Sequence, residues 1–157
     1  DVYKRQVENG VCDLGVVGKD TIMEHGTRFF EVMDLGFGRC RFALAGPKGV
    51  DFYAGYREKV IASKYPNVTR AFFENKQMDV RVIRIEGSVE LAPLLGLSDG
   101  IVDIVETGTT LKENGLEVKE TVADLSARLI VNTASMKLRK KQIEELVARL
   151  EGAKKTC

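Results

Sequence analysis

Asp99-Gly100-Ile101-Val102-Asp103-Ile104-Val105-Glu106-Thr107-Gly108-Thr109-Thr110-Leu111 decides how this chain folds. Its first half is an apolar, β-branched run, the pattern of a buried strand. Thr107 and Gly108 break that run, and a short helix opens behind them that Asn114-Gly115 closes. Side chains alternate along a strand, so Asp103 shares a face with Ile101 and Val105, and a regular strand turns Glu106 away. Both carboxylates serve one ligand only if the strand stops by residue 105, which the Thr-Gly predicts. Strand, turn and helix N-terminus in succession suit phosphate, because first-turn amides lack intrahelical partners and the helix dipole favours an anion. Gly108 permits close backbone approach. The same residues also suit an ordinary Thr cap after a buried strand. The turn by itself leaves both readings open.

Outward from this stretch, strands are expected over 11–18, 39–45, 59–63, 80–85, 116–122 and 128–131. Gly46-Pro47-Lys48-Gly49 reads as a turn or boundary. Pro66 starts a helix through Phe72 and Phe73, Gly87-Ser88 caps one carrying Val89, Leu91, Leu94 and Leu95, and 135–153 forms a single terminal helix. The first six residues show neither strand nor helix period. Alternating strands and helices from 60 to 122 imply an α/β fold with a mostly parallel sheet, whose ligands bind outside the carboxyl ends of its strands. Composition shifts near 46–49 and 123–126 bracket a middle lobe.

Composition narrows the chemistry. At 157 residues and 30% charged, with no apolar run that spans a bilayer, the chain reads as a globular protein with no membrane partner. A net charge of +1 gives no electrostatic reason to expect nucleic acid. Cys12, Cys40 and Cys157 form no C-x-x-C pair, so neither a disulfide framework nor a zinc site is indicated, and a reducing cytoplasm fits. The glycines at 15–20 and 36–41 fail the P-loop and dinucleotide patterns. His25 is the only histidine and reads as a solvated helix residue rather than a triad member. Phe29-Phe30 and Phe72-Phe73 read as core. Asp103 and Glu106 can accept hydrogen bonds from sugar hydroxyls or hold Mg²⁺ beside a phosphate on the turn, so a sugar phosphate is the natural ligand.

Glu90-Leu91-Ala92-Pro93-Leu94-Leu95-Gly96-Leu97-Ser98-Asp99-Gly100, continuing into the opening stretch, resembles the signature of the ATP phosphoribosyltransferase family. That pattern is a Glu, a Gly six residues on, and an acidic-apolar strand ending in Thr-Gly-x-Thr-Leu. Supporting matches are Asp13-Leu14-Gly15-Val16-Val17-Gly18-Lys19-Asp20, Asp34-Leu35-Gly36-Phe37-Gly38-Arg39-Cys40-Arg41, Lys64-Tyr65-Pro66-Asn67 and Gly87-Ser88-Val89-Glu90, so the resemblance runs from Val7 to Glu151.

The resemblance implies a two-lobed fold like that of type II periplasmic binding proteins, with a cleft between lobes. Lobe I would take residues 1–45 and 125–157, and lobe II residues 46–124. Thr107, Gly108, Thr109 and Thr110 would hold the 5-phosphate of phosphoribosyl pyrophosphate, and Asp103 with Glu106 the ribose hydroxyls. Lys19 and Glu90 are weaker candidates; no catalytic residue or metal ligand is assigned. The implied reaction joins N1 of the ATP adenine to the ribose C1 and expels Mg²⁺-bound pyrophosphate, the first step of histidine biosynthesis. Implied partners are further copies of the chain and a histidyl-tRNA-synthetase-like regulatory subunit, as in the family's short form. Family members begin earlier, with a strand and a Pro-Lys-Gly-Arg loop absent here, so an N-terminally truncated chain with an incomplete lobe I, inactive by itself, is expected. The rival reading is a non-catalytic small-anion or solute-binding domain of the same fold.

Overall fold

In chain order, the computed structural model folds first as α1 (Val2–Glu8), β1 (Leu14–Gly18), α2 (Lys19–His25) and β2 (Phe29–Asp34). Then come β3 (Cys40–Pro47), β4 (Lys59–Ser63), α3 (Pro66–Asn75), β5 (Val80–Arg84), α4 (Leu91–Leu94), β6 (Gly100–Val105), α5 (Thr109–Glu113) and β7 (Leu116–Leu125). The chain ends in β8 (Ala127–Asn132), α6 (Thr133–Leu138) and α7 (Lys140–Lys154). The structure describes residues 2–26 and 28–154, so Cys157 lies outside the described residues. Two units emerge, Asp1–Arg39 with Leu125–Cys157, and Cys40–Asp124. Among the described residues no helix is long and apolar enough to cross a membrane.

The first unit is built on a three-stranded sheet, order β1-β8-β2, with β8 antiparallel to both neighbours. Val7, Val17, Ile22, Phe29 and Ile130 form its core. The corner before β8 is pinned by Asp34, whose Oδ1 accepts from Ser126 Oγ and from the Gly36 N–H, each at 2.8 Å. Those two bonds, Ser126 foremost, hold the Asp34 carboxyl below its ordinary range.

The second unit carries a five-stranded sheet, order β5-β4-β6-β3-β7. β4 runs parallel to β5 and β6, while β3 runs antiparallel to β6. The sheet is therefore mixed rather than mostly parallel. Only β4, β5 and β6 are joined by helical crossovers, the connection that parallel pairing needs, and β3 precedes the first of them. Alternation along the strands sends Ala43, Ala45, Ile101 and Val105 to a core with Ala92, Leu111 and Leu116, and sends Leu44, Ile61 and Val102 to the opposite face with Phe52 and Phe73.

Gly100, where β6 starts, has no room for a side chain. A Cβ there would stand 2.8 Å from the Ala45 carbonyl oxygen and 3.0 Å from the Phe52 ring. The carbonyl belongs to the ladder and cannot yield cheaply. Gly100→Ala is expected to destabilise the protein by about 1–3 kcal/mol, read as a lower urea midpoint with an unchanged slope.

Several elements depart from the pattern-based expectations. Residues 2–8 are helical: the seven-residue α1 is too short to show a period, and it is held by tertiary burial of Val7. The run at 11–18 becomes a strand only from Leu14. β2 was not expected, and Phe30 on it is 46% exposed although Phe29 is buried. β3 runs on through Pro47, because a proline at a strand end forfeits no needed donor. The helix around 89–95 shrinks to the single turn of α4, consistent with Pro93 inside it, and leaves Leu94 57% and Leu95 69% exposed. The terminal helix is two helices, divided at Arg139 (φ −124°, ψ 27°). His25 is exposed at the end of α2, as expected.

Candidate functional site

β6 ends at Val105, so the strand alternation is released where Glu106 begins. Asp103 and Glu106 consequently line one pocket of about 410 Å³, together with Thr107, Gly108, Thr109 and Thr110. Lys64 and Glu90 complete its polar wall. Lys64 arrives by register. β4 pairs Ser63 with Val102 in parallel, so the residue after each, Lys64 and Asp103, comes level at the carboxyl ends of the two strands. Ser63 Oγ, fully buried, donates to the Val102 carbonyl at 2.6 Å and locks that register.

Asp103 is the partly buried carboxylate of the site. Burial pushes its pKa up, against the pull of the Ile104 N–H, which donates to Oδ1 at 2.8 Å, and of Lys64; Glu90 adds a further upward push. Glu106 is exposed on the turn.

The turn itself is set by Gly108, at φ 78° and ψ 8°, a left-handed conformation that side chains with a branched Cβ almost never adopt. Gly108 is the residue that caps α5, and it supplies no side-chain acceptor. The nearest substitute is Thr107 Oγ1, 3.4 Å from the Thr109 N–H and 3.0 Å from Thr109 Oγ1. The Thr cap is thus long and partial. The three threonine hydroxyls, the turn that opens α5 and the two carboxylates line the same pocket, an arrangement able to take an anion and sugar hydroxyls together.

Of the residues singled out from the sequence, Asp103, Glu106, Thr107, Gly108, Thr109, Thr110 and Glu90 are brought together here. Lys19 is not among the lining residues. It belongs to the first unit, where its Nζ meets Glu31 Oε2 at 2.7 Å. Lys64 joins them unexpectedly; the one sequence feature that marks it is its place directly behind the strand 59–63. Among the described residues no group of three or more His, Cys, Asp or Glu side chains is placed to hold a metal ion.

Fold and site together define an α/β protein of two sheet-centred units, one of which carries a strand-turn-helix pocket lined by carboxylates and threonines. The family described as HisG, ATP phosphoribosyltransferase, matches residues 1–152. The chain is 57% identical over 145 residues to the ATP phosphoribosyltransferase of Clostridium kluyveri, covering 92% of this chain and 66% of that protein. It is 54% identical over 146 residues to that of Clostridium acetobutylicum, covering 93% and 68%. Among solved structures it resembles the ATP phosphoribosyl transferase (HisG:HisZ) complex from Thermotoga maritima, with TM-score 0.83, 38% identity, and coverage of 98% of this chain and 76% of that one. The periplasmic aliphatic sulphonate binding protein SsuA of Escherichia coli matches with TM-score 0.63 at 10% identity, over 96% of this chain and 57% of that one, a likeness of fold alone. This chain belongs to the ATP phosphoribosyltransferase family. It has the expected α/β fold of two lobes shared with periplasmic binding proteins, and it spans 66%, just under two thirds, of the Clostridium kluyveri relative's length.

Proposed function

We propose that this chain supplies the phosphoribosyl half of an ATP phosphoribosyltransferase site. The observation that carries the reading is the pocket in which the strand end at Val105 brings Asp103 and Glu106 beside the Thr107–Thr110 turn, in a chain of this family. On this reading the turn amides and the hydroxyls of Thr107, Thr109 and Thr110 take the 5-phosphate of phosphoribosyl pyrophosphate. Asp103 and Glu106 accept hydrogen bonds from the ribose hydroxyls, and Lys64 offsets their charge.

The reaction joins N1 of ATP adenine to the ribose C1, with pyrophosphate leaving. Positive charge develops on the ribose ring as the C1–O bond breaks, so carboxylates held near the ring stabilise the transition state electrostatically, and no covalent nucleophile is required. Mg²⁺ fits as part of the substrate. Carboxylates at the strand end suit an ion that keeps its waters and is bound largely by phosphate oxygens. It neutralises the departing pyrophosphate. Lobe boundaries at 45/46 and 124/125, a cytoplasmic location, self-association and pairing with a histidyl-tRNA-synthetase-like regulatory subunit belong to the same proposal. The Thermotoga maritima relative, solved as a two-component complex, supports the last.

The test is made in a protein of the relatives' full length that carries this sequence. Incubated with ATP, phosphoribosyl pyrophosphate, Mg²⁺ and the regulatory subunit, it is expected to give the ultraviolet absorbance of phosphoribosyl-ATP. Absence of product under those conditions rejects the enzyme reading in favour of a binding domain.

A further inference from the structure

Leu91, Leu94, Leu95 and Leu97, all within one short run around α4, stand 45%, 57%, 69% and 56% exposed. The turn that carries them is firmly built. Val89 and Ala92 anchor its inner side in the core of the second unit. The Leu95 N–H donates to the Leu91 carbonyl at 3.0 Å, and the Leu97 N–H to the Ala92 carbonyl at 2.9 Å. Leu91, Leu94 and Leu95, three and four residues apart, share the outer side. The usual polarity of a surface helix is thus reversed, with the smaller side chains serving the core and the leucines facing outward. This face adjoins the site, since Glu90 of the pocket wall directly precedes Leu91.

Charge and area both suit a second copy of the chain. From Leu91 to Ser98 no residue carries a charge. In a twofold contact each residue comes near its own counterpart, so an uncharged patch can meet itself without setting like charges together. The four leucines expose on the order of 400 Å² of apolar surface, the size at which patches mark interaction sites. Two copies face to face would bury about twice that, and a polar rim brings the total to the roughly 1,200 Å² at which stable interfaces begin.

We infer that the leucine face of α4 is a self-pairing surface, on which a second copy of this chain packs the same leucines about a twofold axis. The inference rests on the self-association proposed above and names the face that carries it. The leucines supply the apolar centre of the contact, and the hydrogen-bonded turn beneath them holds that centre in shape before the partner arrives, which lowers the ordering cost of association.

Sedimentation of a protein of the relatives' full length that carries this sequence, without the regulatory subunit, tests it. The parent is expected to associate at micromolar concentration. Copies with both Leu94→Glu and Leu95→Glu should associate about 100-fold more weakly, because the contact would bury unpaired like charges. Copies with both Leu94→Lys and Leu95→Lys should be weakened alike. Mixing the glutamate and lysine copies should restore association, since a patch that meets itself then sets opposite charges together. Melting curves should show both folded, as the positions are exposed; Leu94→Ser with Leu95→Ser, which adds no charge and should weaken association about 10-fold, stands in if they are not. A mixture that stays dissociated shows the patch meeting some other surface and overturns self-pairing. Variants that associate like the parent, or that lose only their hold on the regulatory subunit, overturn it too. A parent that does not associate fails the self-association reading and takes this face with it; an associating parent with equally associating variants fails the face alone.

Discussion

Gly108→Val is expected to abolish phosphate binding while leaving the fold in place. The position sits at φ 78°, and a Cβ there would meet nothing closer than Val105 Cγ1 at 3.8 Å. Space is available, so the penalty is conformational. Holding valine in the left-handed region costs on the order of 1–2 kcal/mol, and the relief is to rotate the turn, which re-aims the amides of α5. Losing several charge-assisted hydrogen bonds together lowers affinity by more than about 100-fold. A graded series separates conformation from bulk. Asn tolerates the left-handed region and should keep most of the binding, Ala should be intermediate, and Val should lose it. Affinity that follows side-chain volume instead, with Asn as damaging as Val, would contradict the backbone account.

Asp103→Asn should weaken phosphoribosyl pyrophosphate about 10- to 100-fold and yet stabilise the unliganded chain. Burial raises the Asp103 pKa in the folded state above its ordinary value of 3.8. Between that ordinary value and the raised one, the folded state binds more protons than the unfolded state. Stability therefore falls as pH rises through this window, and the loss persists above it. Asparagine removes the titration while its side-chain oxygen still accepts from the Ile104 N–H. The variant should melt higher than the parent at neutral pH, and the gap should close as pH falls below the ordinary carboxylate range. A gap of the same size at every pH, or a variant less stable at neutral pH, would show that burial of the Asp103 charge is not the cause.

These two residues were legible in the sequence because the features that make them matter are local. The β-branched run 100–105 declares a strand, Thr107-Gly108 declares its end, and the alternation rule then states what Asp103 and Glu106 require. Lys59–Ser63 was readable at both ends for a similar reason, since Pro66 fixes where the next helix starts. Lys64 was not. Its relation to Asp103 depends on register across strands distant in sequence, and register is fixed by partners such as Ser63 Oγ on the Val102 carbonyl rather than by any local pattern. α1 and the division at Arg139 were illegible for a different reason. A seven-residue helix is too short for a period, and no glycine or proline marks the break between α6 and α7. The direction of β3 depends on which crossovers are helical, a property of the whole unit.

The most direct measurement of the central claim is calorimetric titration of phosphoribosyl pyrophosphate, with Mg²⁺, into a protein of the relatives' full length that carries this sequence and into its Gly108→Val variant. The turn account predicts saturable, one-to-one binding to the first and none detectable to the second, with both folded by circular dichroism. Equal binding by the two, or no binding to the first, would contradict it.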